Sequence, residues 1–233
     1  MRVVSWNIQY GIESELAARE IAESAEMSGF DVLLLQEMDE SGTATIAEAF
    51  GAHYAYAATG PHANTGRDFG NAVVTRWPIR LNAEVPLPHR ASVSGQPRSA
   101  THAVVDVGGV DVSVYSVHTE IPALRLARRI EQFATVAADA ESNPFDLVVI
   151  GGDFNTVTGR GVRALTDAMR AAGLERVSSA SAPSYRRGGR DLMLDHVFAA
   201  GFSGATGGVV DGTTASDHAP LWVELDWPID EPT

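Results

Sequence analysis

The sequence contains no cysteine, which excludes disulfides, thiolate nucleophiles and Cys-ligated zinc. Any metal must therefore be held by carboxylate, amide or imidazole groups. No apolar run approaches the roughly 20 residues that a membrane-spanning helix needs. The first strand-like run begins at Arg2, leaving no room for a signal sequence. A cytoplasmic protein without a transmembrane segment is the resulting expectation. Basic residues are few, with 17 Lys+Arg against 30 Asp+Glu and a formal net charge of -13. Setting four acids aside as metal ligands leaves 26 against 17, still -9, so the surface as a whole repels a long polyanion. Internal repeats and low-complexity tracts are absent, as is the extended basic and aromatic surface of a single-strand binder.

What is present is ordinary globular material. At 233 residues, 45% hydrophobic and 20% charged, the chain can bury a large core as one domain over residues 1–233, expected as a monomer. Its organising stretch is Leu147-Val148-Val149-Ile150-Gly151-Gly152-Asp153-Phe154-Asn155. The apolar run predicts a doubly buried strand, and the glycines let the backbone break away from the sheet. With Phe154 turned the other way, Asp153 and Asn155 project into one cleft. An acid beside an amide suits a phosphate and a hard metal ion, although an Asx turn after a strand has the same composition.

The same pattern, an apolar strand ending in a polar side chain, recurs along the chain. Val3 to Ile8 carries Asn7 at its end, and Asp31 to Glu37 delivers Glu37 after four apolar residues. The stretch Gly70 to Ile79 is predicted as a buried strand ended by its proline, with Asn71 at its start, facing the cleft or serving a turn. A hairpin over Arg98–Val107 and Val110–His118 turns at Gly108-Gly109 and ends on His118, a catalyst or a satisfied core histidine. Met193 to Phe198 places Asp195 inside an apolar run, where an unpaired carboxylate is costly and a hydrogen-bonded neighbour is required. Asp217 and His218 stand just before the last strand. Helices are predicted over Ser14–Ser28, Gly42–Phe50, Pro122–Ala140 and a segment around Val162 to Ala172. On the third, Arg129 and Gln132 share a face. Stretches 59–69, 84–97 and 178–190 read as loops, the last carrying Arg186, Arg187 and Arg190 as a phosphate contact or a solvated charge run. Strands interspersed with helices give an α/β protein.

Asn7, Glu37, Asp153, Asn155 and Asp217 are hard oxygen donors at the edges of four predicted strands, a set suited to Mg²⁺ or Mn²⁺. Seven segments occur in an order that resembles the endonuclease/exonuclease/phosphatase, or DNase I-like, superfamily of metal-dependent phosphoesterases. They are Trp6-Asn7-Ile8, Leu35-Gln36-Glu37, Gly70-Asn71-Ala72-Val73, His118 with Arg129 and Gln132, Gly152-Asp153-Phe154-Asn155, Leu194-Asp195-His196-Val197-Phe198, and Ser216-Asp217-His218.

The resemblance implies a four-layer α/β sandwich of two packed, mainly antiparallel sheets with helices outside. It implies Glu37 as principal metal ligand with Asn7 and Asp217 near the ion, and Asp153 and Asn155 orienting water and contacting phosphate. Asp195 then holds His218 in the useful tautomer, and His118 is the second active-site histidine. Asn71 and Arg98 are the substrate-binding candidates. The chain departs from the family's Asn-Thr-His-Leu with Ser116-Val117-His118-Thr119. The expected activity is Mg²⁺- or Mn²⁺-dependent phosphoester hydrolysis by in-line attack of water, on a small or lipid-derived substrate. A DNA or RNA nuclease is the alternative, and a binding protein that keeps the fold without turnover is a third reading.

Overall fold

The computed structural model describes residues 1–62, 66–90, 95–178, 182–187 and 189–228. Two six-stranded sheets dominate it. The first contains β1 (Arg2–Asn7), β2 (Val32–Met38), β3 (His53–Pro61), β4 (Asp68–Thr75), β13 (Gly204–Val209) and β14 (Leu221–Asp226) in the order β13-β14-β1-β2-β4-β3. The second contains β5 (Ile79–Pro86), β6 (Ser99–Val107), β7 (Val110–His118), β8 (Leu147–Asp153), β9 (Glu175–Arg176) and β12 (Asp195–Ala200) in the order β5-β6-β7-β8-β12-β9. A separate hairpin joins β10 (Tyr185–Arg187) to β11 (Arg190–Leu192). Helices are α1 (Ser14–Glu23), α2 (Glu40–Ala49), α3 (Leu126–Ser142) and α4 (Gly159–Ala171).

Each sheet holds one parallel pair, β1–β2 and β7–β8, among antiparallel neighbours. Parallel strands need a crossover, and α1 and α3 provide it. Period-two alternation then sorts the side chains into layers. Val3, Leu34, Val114 and Val149 meet between the sheets. Val4, Trp6, Leu33 and Leu35 face outward onto Ala17, Ile21 and Ile46 of α1 and α2. Tyr115, Val148 and Ile150 face the opposite way onto Phe133, Val136, Leu165 and Met169 of α3 and α4. The result is the expected helix–sheet–sheet–helix sandwich. Among the described residues no helix is long and apolar enough to cross a membrane.

Several boundaries differ from the sequence reading. The strand expected within Gly70–Ile79 runs from Asp68 to Thr75 and ends ahead of Pro78, as expected, but Ile79 belongs to a second strand. The chain leaves the first sheet after Thr75, and Ile79 starts an edge strand of the second. Pro78, which lacks a backbone donor, stands in the crossing. Both ends of stretch 59–69 are ladder, because β3 and β4 pair as far as Pro61 and Asp68 around a bulge near Gly60. Stretch 84–97 begins within β5. Residues 63–65, 91–94, 179–181 and 188 of the three predicted loops lie outside the described residues. Helix α1 stops at Glu23, and α3 starts at Leu126 rather than Pro122. Strand β13 went unpredicted because its sequence, Gly-Ala-Thr-Gly-Gly-Val, has little strand propensity of its own. Pairing with β14 recruits it, and a Cβ at Gly207 would stand 2.4 Å from the Trp222 carbonyl oxygen.

His196 on β12 is fully buried, with Nε2 2.6 Å from the Thr156 hydroxyl. Burial first, and the Arg176 guanidinium second, push its pKa down to about 3, whereas an unfolded chain leaves it near 6.5. Between those values the unfolded state carries a proton that the folded state lacks. This contribution to stability is therefore complete above pH 6.5 and is lost as pH falls toward 3. His196→Gln is expected to lower the slope of unfolding free energy against pH in that window by about 1.4 kcal/mol per pH unit. Denaturant unfolding of both proteins at a series of pH values measures the difference, and identical slopes would show that His196 is not held neutral.

Candidate active site

Parallel pairing delivers the site. The C-terminal ends of β1 and β2 emerge together, as do those of β7 and β8, in the position where open α/β sheets carry their ligands. Register aligns Asn7 with Gln36, Gln36 with Asn71, His118 with Asp153, and Asp153 with Asp195. One edge of the sandwich thus collects polar residues from both sheets. There a cavity of about 960 Å³ is lined by Glu37, His118, Asp153, Asn155, Asp217 and His218, with Arg98 at its side.

Local backbone explains the aim of these groups. Glu37 lies at a bulge between Gln36 and Met38 and has φ 56°, so its side chain leaves the alternation of β2. Asn155 has φ 52°, and its backbone N–H donates to Asp153 Oδ1 at 2.9 Å. Gln9 and Tyr10, shortly after β1, are also left-handed. Among the described residues, four of the five non-glycine positions with positive φ line this cavity. Such conformations cost free energy and collect at functional sites. Gly152 serves the same end, since its φ is 152° and a Cβ there would lie 1.9 Å from the Val117 carbonyl oxygen.

The polar contacts fix proton positions. Asn7 Nδ2 donates to Glu37 Oε1 at 3.2 Å and to Asp153 Oδ2 at 3.1 Å, while its Oδ1 accepts the Gln9 N–H at 3.0 Å. Arg98 donates through Nε to Glu120 Oε2 at 3.1 Å and through Nη1 to His118 Nδ1 at 3.2 Å. A guanidinium can only donate, so His118 Nδ1 is the acceptor and the ring proton sits on Nε2. That nitrogen lies 3.6 Å from Asp153 Oδ2 and 3.9 Å from Glu37 Oε1. Burial, then the charges of Arg98 and His218, hold the His118 pKa well below its ordinary value, so the ring is neutral.

His218 is the opposite case. Burial lowers its pKa, but the Asp195 carboxylate 2.8 Å from Nδ1, with Asp153 and Asp217 nearby, raises it to about 10. The imidazolium lies between two acids, with Nε2 3.8 Å from Asp153 Oδ2. Burial and the Asp195 charge raise Asp153 to about 7. Atoms of Asp153, Asp195 and His218 lie within 4.8 Å of one another, a spacing that could hold a metal. The Asp195–His218 hydrogen bond and the ion pair of His218 with Asp153 already account for that closeness, and an imidazolium has no lone pair to offer a metal. Glu37 and Asp217 are the better ligand candidates: both are hard oxygen donors facing the cavity.

Of the sequence candidates, Asn7, Asn71 and Asp195 do not line the cavity; Asn7 and Asp195 hydrogen-bond to residues that do, whereas Asn71 is turned to other partners. It is buried, its Nδ2 donates to the Ser99 carbonyl at 2.7 Å, and its own carbonyl accepts from Thr101 Oγ1. Arg129 and Gln132, noted for sharing a helix face, act behind the site. Arg129 Nη2 donates to the carbonyls of Phe154 and Asn155 at 2.9 and 2.7 Å. Gln132 accepts the Glu120 N–H and donates to Pro88. Sequence reasoning missed Glu120 and Ser184. The Ser184 hydroxyl accepts the N–H groups of Leu194 and Asp195 at 3.1 Å each, and its carbonyl accepts from Ala219 at 2.7 Å. This one buried residue ties Asp195 to the His218 loop, and no local pattern marks it. Because Asp195 supplies the raised basicity of His218, Asp195→Asn is expected to move His218 titration from about 10 to well below that value. Histidine NMR on EDTA-treated protein measures it, and an unmoved titration would remove Asp195 as the partner.

No curated protein matches the sequence. Solved structures do. An endonuclease/exonuclease/phosphatase family protein from Leptotrichia buccalis superimposes with a TM-score of 0.77 at 18% identity, covering 97% of this chain and 100% of its own. Sphingomyelinase C from Streptomyces griseocarneus gives 0.74 at 20% identity, covering 97% and 99%. A mannosyl-6-phosphatase from Bacteroides thetaiotaomicron gives 0.73 at 18% identity, covering 97% and 100%. At these identities the likeness shows the fold. The model of the endonuclease/exonuclease/phosphatase family matches residues 4–218. The chain therefore belongs to that family of phosphoester hydrolases.

Proposed function

We propose that residues 1–233 form one catalytic domain that hydrolyses a phosphoester by in-line attack of water, with Mg²⁺ or Mn²⁺ as cofactor. The observation that carries this reading is Asp153, near pKa 7, set in one cavity between the neutral His118 and the imidazolium of His218. A general base works best when its pKa lies near the working pH.

The residues present fit a hard divalent ion. Burial has the largest influence on Glu37 and raises its pKa; the Asp217 charge adds to this, against the Asn7 hydrogen bond and the charges of Arg98 and His218. Three acids therefore face the cavity where a counter-cation would keep them ionised. Glu37 and Asp217 would hold it, with Asn7 clamping the Glu37 carboxylate beside it. When bound, the ion supplies positive charge to the phosphoryl oxygens and the departing oxygen.

The remaining chemistry belongs to side chains. Asp153 orients the water and takes its proton as the oxygen–phosphorus bond forms and the bond to the alcohol breaks. His118 donates its Nε2–H to a phosphoryl oxygen, and Asn155 adds an amide contact. His218 brings a fixed positive charge, oriented by Asp195. Arg98 anchors His118 through Nδ1 and adds positive charge beside the phosphoryl group. The net charge of -13 favours a small or lipid-derived substrate over a polynucleotide. Since a mannosyl-6-phosphatase and a sphingomyelinase C share the fold, the cavity walls must choose the leaving group.

Hydrolysis of a panel of phosphomonoesters, phosphodiesters and nucleic acids with Mg²⁺, Mn²⁺ or EDTA tests the reading. Activity is expected with millimolar Mg²⁺ or Mn²⁺, to vanish in EDTA, and to be absent from Glu37→Ala that retains the wild-type circular dichroism spectrum. Full activity in that folded variant would remove Glu37 from the site. Asp153→Asn is expected to keep KM within a few-fold while lowering kcat by about 10²–10⁴, the range for a lost general base. A change confined to KM would assign Asp153 to binding.

A further inference from the structure

One wall of the cavity is not used by the chemistry above. Tyr10, His62 and Phe69 pack ring against ring, with centroids 4.5 Å apart for Tyr10–His62, 5.1 Å for His62–Phe69 and 6.2 Å for Tyr10–Phe69. All three line the cavity. Phe69 also carries the wall to the reacting centre, since its ring lies 5.9 Å from that of His118 and 5.6 Å from the Arg98 guanidinium carbon. A ligand whose phosphoryl group sits at Asp153 and His118 thus meets aromatic carbon on leaving that point along this wall. Two amide side chains, Gln9 and Gln96, line the same cavity.

The chain spends conformational strain to build this wall. Gln9 and Tyr10 are consecutive left-handed residues in a short turn, Gln9–Gly11, that follows Asn7 after the single residue Ile8. The Asn7 amide oxygen holds the turn by accepting the Gln9 N–H. The base of the cavity and the aromatic wall therefore share one anchor, and Tyr10 sits at a fixed distance in sequence from the site.

We propose that Tyr10, His62 and Phe69, with Gln9 and Gln96, form the leaving-group subsite, and that it takes a polyhydroxylated ring, making the substrate a sugar phosphate. This rests on the phosphoesterase reading and adds the substrate class to it. Aromatic faces stack on the flat C–H faces of a sugar ring. Primary amides supply donors and acceptors together, which hydroxyl groups require. An acyl chain has no use for the amides.

Steady-state kinetics with Mg²⁺ on hexose 6-phosphate, nucleoside 5′-monophosphate and glycerol phosphate, which has no ring, provides the test. The wild-type protein is expected to prefer the hexose ester to the glycerol ester by about tenfold or more in kcat/KM. Tyr10→Ala is expected to reduce that ratio about tenfold, and Tyr10→Phe, which keeps the ring, to retain it. His62→Ala provides a second reading of the ratio if Tyr10→Ala does not fold. No ring preference in the wild-type protein, or a ratio unmoved in a folded Tyr10→Ala or His62→Ala, would overturn the subsite while leaving the phosphoesterase reading intact. A preference for the nucleotide over the hexose ester would overturn the sugar assignment. Absence of turnover on every phosphoester in the panel would instead bring down the phosphoesterase reading itself.

Discussion

The Asn7 amide joins the two halves of the molecule at the point where their charges conflict. Glu37 comes from one sheet and Asp153 from the other, and Asn7 Nδ2 donates to both. A half-buried and a buried carboxylate sharing one donor repel each other, and a neutral group between them permits the approach without a second fixed cation. Its oxygen holds the following turn in place. A further link across the sheets lies directly behind, where Gln36 Nε2 donates to Ser116 Oγ at 3.0 Å and Ser116 Oγ donates to the Leu35 carbonyl at 2.8 Å. The site edge is therefore sewn with hydrogen bonds, whereas farther in the sheets meet across an apolar cluster that includes Val3, Leu34, Val114 and Val149.

Neutral and charged histidines are separated by their partners rather than by their burial, which is nearly complete for both. His118 receives a hydrogen bond from a cation, and His218 gives one to an anion. The first is thereby kept as a neutral donor toward the cavity and the second as an imidazolium. Arg98 fills its role because Glu120 fixes it from behind, and Glu120 is fixed in turn by the helix that carries Gln132. Proton placement at the cavity so depends on α3, a helix that contributes no group to the cavity itself.

The acids and His118 were legible because each ends or opens an apolar strand, and burial on both faces makes such strands conspicuous in sequence. Their convergence was not legible from spacing. It follows from two parallel pairs opening at the same edge, a property of topology that only the order of family motifs conveyed. Other features have no one-dimensional signature. Ser184 accepts two backbone N–H groups from residues about ten positions away, and it lies in a stretch read as a loop. The aromatic wall combines a residue of a tight turn with two from the far end of the β3–β4 hairpin, a hairpin whose outer end carries too little apolar pattern to predict. Asn71 shows the reverse limit. Its strand was identified, yet the two readings of its side chain differed only in which neighbour took the amide, and the other sheet took it.

The distribution of positive charge bears on substrate size. Every basic residue in the chain is arginine, with no lysine among the 17. Several of those outside the cavity are engaged by acids: Arg2 by Glu224, Arg67 by Asp39, Arg80 by Asp106 and Asp111, Arg170 by Glu175 and Arg186 by Asp211. Exposed pairs of this kind contribute little stability, but they remove the free cations that a phosphate backbone would need along its length. Arg98 and Arg190 line the cavity itself. Counterion release scales with the number of phosphates neutralised, so these five acid-paired arginines would add little to the binding of a second or third phosphate. This agrees with the proposed small substrate, whose recognition would rest on one phosphoryl group and on what the cavity walls hold beside it.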